Sequence, residues 1–122
     1  MPSLPEVVSA VCRLPIDFNR ANASPIDLLR RSGYLVVRRE VTVERLSDRL
    51  IRDQELVDSW IAWSEDNRST PSWYIEALGP REFEVGYYDE GRSSQMRFDD
   101  KVRACSEYVH QYLEQVADLA TV

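Results

Sequence analysis

Residues 60–98, WIAWSEDNRSTPSWYIEALGPREFEVGYYDEGRSSQMRF, decide the fold. The segment opens with helical spacing and then changes to alternation. Trp73, Ile75 and Ala77 alternate with Tyr74, Glu76 and Leu78, and Phe83, Val85 and Tyr87 alternate with Glu82, Glu84 and Gly86. A three-residue connection, Gly79-Pro80-Arg81, pairs Trp73 with Tyr87, Ile75 with Val85 and Ala77 with Phe83. That register gathers the large apolar pairs on one face, as burial demands. A four-residue connection, Asp89-Glu90-Gly91-Arg92, then pairs Val85 with Met96 and Phe83 with Phe98. The expectation is a three-stranded antiparallel meander over about residues 72–98, with the 82–88 strand central.

Both flanks supply helices to cover the apolar face. Asp99 or Asp100 caps a helix to about Leu119, in which Val102, Cys105, Val109, Tyr112, Leu113 and Val116 form one stripe. Upstream, Asp53 caps a helix over about residues 54–66. Its face is Leu56, Val57, Trp60, Ile61 and Ser64, with Trp60 in the core and Trp63 a candidate for partial exposure. Thr42 caps a helix to about Arg52, either continuous with the next or bent at Asp53. Ser24 and Pro25 begin a short helix that Gly33 ends. Residues 3–13 form another, with Ser3 and Glu6 at capping-box spacing. Residues 14–23 read as a loop. Tyr34–Val37 reads as a buried strand or an extended segment, too short to decide. The fold class is α+β: one domain, a small antiparallel sheet with N-terminal helices and a long C-terminal helix on one face.

Composition narrows the function. The chain has 122 residues, 43% hydrophobic and 30% charged, enough for one core. No apolar run reaches the ~18 residues of a membrane span. Residues 1–15 lack a basic region followed by a long apolar run, so no signal peptide is expected and the expected compartment is the cytoplasm. Residues 1–52 carry 9 basic and 6 acidic side chains, a net of +3; residues 53–122 carry 6 and 15, a net of −9. An acidic half argues against gripping a phosphate backbone directly and favours a basic partner.

Catalytic chemistry finds little support. His110 is the only histidine, at the edge of the C-terminal stripe, and Cys12 and Cys105 are isolated on apolar stripes. No converging metal-ligand set, nucleophile–base pair or phosphate loop emerges. No enzyme activity, cofactor or metal is expected.

The outer face of the meander is the candidate surface. Glu76 lies across from Glu84, Leu78 from Glu82 and Tyr74 from Gly86. Facing carboxylates oppose one another, an effect that Arg97, across from Glu84, offsets in part. The expected partner contacts are Tyr74, Glu76, Glu82, Glu84, Tyr88, Asp89 and Glu90. Tyr74 and Tyr88 serve as aromatic anchors and the carboxylates meet a cationic surface. Glu65 and Asp66, with Arg68, form a further polar contact loop.

A helix ending W-x-x-W/Y-S-E-D-x-R, here Trp60 to Arg68, leads to S-W-Y-I. It is followed by F-E-V-G-Y-Y at residues 83–88 and by F-D-D before a Cys-containing amphipathic helix at residues 98–119. Over residues 42–119 this resembles small bacterial proteins encoded beside polymorphic toxins, including contact-dependent growth inhibition immunity proteins. The resemblance implies a cytoplasmic inhibitor that binds one cognate toxin domain, often a nuclease, and blocks its active site or substrate groove. It carries over no individual functional residue. The alternative is an adaptor or regulatory subunit that captures a peptide or protein ligand, for example by adding a strand to a sheet edge.

Overall fold

The computed structural model describes residues 2–66 and 71–121. In chain order the elements are α1 (Leu4–Cys12), α2 (Leu14–Arg20), α3 (Pro25–Ser32), α4 (Tyr34–Val37), a 3-10 turn (Arg38–Glu40), α5 (Val43–Ile51), α6 (Gln54–Asp66), β1 (Ser72–Gly79), β2 (Glu82–Tyr88), β3 (Arg92–Phe98) and α7 (Lys101–Ala120). The strands form one antiparallel sheet in the order β1-β2-β3, so the α+β class and the meander are as expected. No helix among the described residues is long and apolar enough to cross a membrane.

The helix signals act where the sequence places them. Ser3 and Glu6 close a reciprocal capping box on α1. Ser24 accepts from the Asp27 N–H at the start of α3, and Gly33 ends α3 in the left-handed region at φ 87°. Thr42 caps α5 and Asp100 caps α7. Between α5 and α6 the chain breaks at Asp53, whose N–H bonds the Leu50 carbonyl while its own carbonyl accepts from Leu56.

The sheet packs one face on α7 and α6, while α5 and α3 pack on α7. Trp60 occupies the centre of the core. Its indole N–H donates to the Cys12 carbonyl at 2.9 Å, and Trp63, Tyr108 and Tyr112 surround it at centroid distances of 6.4, 6.0 and 5.5 Å. Such edge-on contacts add to the stabilisation from burial. Ser64 Oγ accepts from the Ile75 N–H at 3.0 Å and reaches its carbonyl at 3.3 Å. One side chain of α6 thereby satisfies both backbone groups of Ile75, in the middle of the outer edge of β1.

Four local expectations are corrected. Residues 14–23 are not a loop throughout: α2 forms at Leu14–Arg20, with Pro15 in the first turn where its missing N–H costs nothing. Tyr34–Val37 is one helical turn and no strand; only Tyr34 is buried, its hydroxyl held by Glu114 at 2.7 Å. Trp63 is buried against Phe18, whose ring stands edge-on at 4.9 Å. Arg68 lies outside the described residues.

The fourth correction concerns both hairpins. The pairs Trp73–Tyr87, Ile75–Val85, Ala77–Phe83, Val85–Met96 and Phe83–Phe98 form as expected. Glu82, however, pairs with Gly79, not Leu78. The β1–β2 turn is Pro80-Arg81, one residue shorter, and Leu78 becomes the extra residue of a bulge. Likewise Tyr88 pairs with Arg92, so the β2–β3 turn is Asp89-Glu90-Gly91. Its spare residue enters β3 opposite Gly86, where Ser94 adopts φ 52°. In each case the tighter turn suits the sheet twist and a bulge absorbs the remainder.

Candidate functional site

The β3 bulge builds the outer face. Without it, Ser93 would stand opposite Tyr88 and Arg92 would point to the core side. The one-residue slip at Ser94 reverses this, since side chains alternate along a strand. Arg92 therefore joins Gln95 and Arg97 on the outer face, all three converging on Glu84.

Glu84 is only 2% exposed and has both oxygens filled. Oε2 accepts from the Tyr74 hydroxyl at 2.7 Å and Arg92 Nη1 at 2.8 Å; Oε1 accepts from Arg97 Nε at 3.0 Å and Gln95 Nε2 at 3.2 Å. The Tyr74 hydrogen bond does most to hold this carboxyl down to about 2, with Gln95, Arg92 and Arg97 adding to it against the opposing effect of burial. Burial, followed by the Glu84 hydrogen bond and charge, pushes the Tyr74 phenol up to about 12.

The expected repulsion between Glu76 and Glu84 is bridged. Arg92 Nη2 lies 2.7 Å from Glu76 Oε2 while Nη1 holds Glu84. The same guanidinium sits 4.9 Å over the Tyr74 ring. Arg97 extends the chain of charges to Glu82 at 2.6 Å. Tyr74 crosses over Gly86: a Cβ there would meet the Tyr74 hydroxyl at 2.6 Å and ring carbons at 2.9 and 3.0 Å. Glycine is what lets the ring lie flat enough to reach Glu84.

The nine expected contact residues thus separate. Tyr74, 4% exposed, and Glu84 are internal to the outer layer and are not available as anchors. Glu76 and Glu82 are ion-paired with Arg92 and Arg97, which also hold Glu84, so two guanidiniums serve three carboxylates. Tyr88, 44% exposed, stands with exposed Asp89 and Glu90 at the β2–β3 turn, and neither of these carboxylates has an ion-pair partner among the described residues. Glu65 and Asp66 are exposed at the end of α6, away from this turn in the chain.

The turn has a second feature, absent from the sequence reading. Glu90 adopts φ 59°. A non-glycine residue in this left-handed region costs about 1 kcal/mol or more, and Gly or Asn is the usual occupant. Ser72, the cross-strand partner of residue 88, also lines a groove of about 510 Å³ with Phe18, Ile26, Trp63, Trp73 and Leu119. The acidic turn and an aromatic-walled groove therefore share one end of the sheet.

The two thiols lie in the core. Burial pushes the Cys12 thiol up to about 12 and the Cys105 thiol higher still, and both are free cysteines. Among the described residues no group of three His, Cys, Asp or Glu side chains is placed to hold a metal ion. No family model, no curated protein and no solved structure matches the chain.

Proposed function

We propose that this protein is a non-catalytic inhibitor of the immunity type, which binds a cognate toxin domain through the β2–β3 end of its sheet. One observation carries the reading. Asp89 and Glu90 are exposed and without ion-pair partners among the described residues, and Glu90 is held in backbone geometry that disfavours a glutamate. A costly, charged turn residue at the end of a braced sheet is what a binding function would retain. The partner is cationic in this reading, and a basic nuclease groove is its preferred form. Tyr88 supplies the aromatic anchor, and the adjoining groove accepts an apolar side chain.

The network around Glu84 supports the same reading from behind. It cross-links β1, β2 and β3 beside the turn, which lowers the ordering cost at binding. Strand addition, the adaptor alternative, is less favoured. Ser64 occupies the middle of the β1 edge at Ile75, and the Ser94 bulge distorts the β3 edge.

Co-expression with the product of the adjacent gene tests the proposal. The expected result is co-purification and rescue of growth from that product. A harmless neighbour that does not bind would remove the toxin-inhibitor reading.

A further inference from the structure

The geometry points to a second site, a groove between α1 and α5 that takes a compact phosphate-type dianion. It stands independently of the inhibitor reading. The groove, about 370 Å³, is lined by Arg45, Arg49 and Arg52 with Ser9 and Asp48, over Val8. The three arginines recur at i, i+4 and i+7, one helix face, over roughly 10 Å of axis. Among the described residues none of the three has a carboxylate within ion-pair distance.

Two of the guanidiniums are already oriented. Arg49 Nε donates to Ser9 Oγ at 3.1 Å, and Arg52 Nε donates to the Asp48 carbonyl at 3.0 Å. In both, the Nε is satisfied by the protein and the Nη fork has no hydrogen-bond partner among the described residues. A fork of this kind recognises a tetrahedral oxyanion bidentately, with little entropy left to lose. Three guanidiniums and the Asp48 carboxylate leave two net positive charges, matching a phosphate dianion. The short basic track, interrupted by Asp48, suits one compact group better than a nucleic-acid backbone, which presents repeated charges.

Calorimetric titration of the whole protein with inorganic phosphate tests this. Saturable one-to-one binding is expected, weakened about tenfold by Arg45→Gln/Arg52→Gln and tightened about threefold by Asp48→Asn. Arg49 is left intact because it is half-buried, and thermal melts of each variant confirm folding. O-phosphoserine and adenosine 5′-monophosphate, titrated in parallel, distinguish a phosphorylated side chain from a free phosphate compound as the source; tighter binding of either supports the site. Absence of saturation, or affinity unmoved by both sets of substitutions, overturns it. A single-stranded oligonucleotide that binds more tightly than any monophosphate, with a steep salt dependence, also overturns it.

Discussion

The Tyr74 hydroxyl donates to Glu84 Oε2 at 2.7 Å across the outer face of the sheet. The two residues sit on neighbouring strands, with Gly86 beneath the ring and Arg92 above it. A carboxylate that reads in the sequence as a solvated contact is instead the hub of a closed layer one side chain deep. Removing either member exposes what the pair contributes.

Acid stability reports on the hub directly. The Glu84 carboxyl is held down to about 2 in the folded protein, below the ordinary glutamate value of about 4.3. A lowered folded value means that the stabilisation is fully present above about pH 4.5 and is lost as pH falls toward 2. Glu84→Gln is expected to cost about 2 kcal/mol at pH 7, since its arginine partners are partly exposed and screened by solvent. Urea melts from pH 7 to 2 should show the two proteins converging over that window. A constant difference across it would place the cause outside Glu84 ionisation.

Gly86→Ala tests the packing beneath the ring. The new methyl collides with Tyr74, which cannot rotate away without leaving Glu84. A loss of about 1–3 kcal/mol is expected, together with a fall of the Tyr74 phenol from its raised value of about 12. In Tyr74→Phe the same substitution should cost distinctly less, because the hydrogen bond is already gone. Equal costs in the two backgrounds, read by denaturant melts, would contradict the coupling.

Glu90→Asn separates stability from binding. Asparagine tolerates the left-handed backbone better than glutamate, so the melting temperature should rise, by roughly 0.5–1 kcal/mol of stability. Binding to a cationic partner should weaken at the same time. A substitution that raises both properties would detach the backbone cost from function.

Most of the fold was legible because burial fixes strand register. A slip of one residue would send Ile75, Val85 and Phe83 to solvent, and the core pairs formed as read. The turns were not legible in length. At both ends of β2 the chain closes one residue early and places the remainder in a bulge, at Leu78 and near Ser94. Alternation is unaffected on the core side of each bulge, so hydrophobic pattern alone does not reveal it. The β3 bulge is the part of the outer face that the pattern hides: it turns Arg92 outward onto Glu84 and Glu76. The left-handed backbone at Glu90 had no signal, because Gly91 beside it looked sufficient for the turn. Residues 14–23 read as a loop because Pro15 and the polar run at residues 19–22 punctuate them, although proline is at home in the first turn of α2.

The thiols offer a chemical check on the core. Cys12 and Cys105 are fully buried and burial raises both thiols, Cys12 to about 12. Neither should react with Ellman's reagent in the native protein at pH 8, and both should react at once on unfolding. Rapid native labelling of either would show that α1, α6 and α7 do not close over them.

Charge reversal at the turn tests the central claim most directly. Reversing Glu84 is unsuitable, since it would set a cation beneath Arg92 and Arg97 and disrupt the sheet. Asp89→Lys/Glu90→Lys leaves the network untouched. Calorimetric affinity for the co-purified partner is expected to fall by about 2 kcal/mol or more, roughly thirtyfold, with the melting temperature essentially unchanged. Unchanged affinity in that variant would contradict the account.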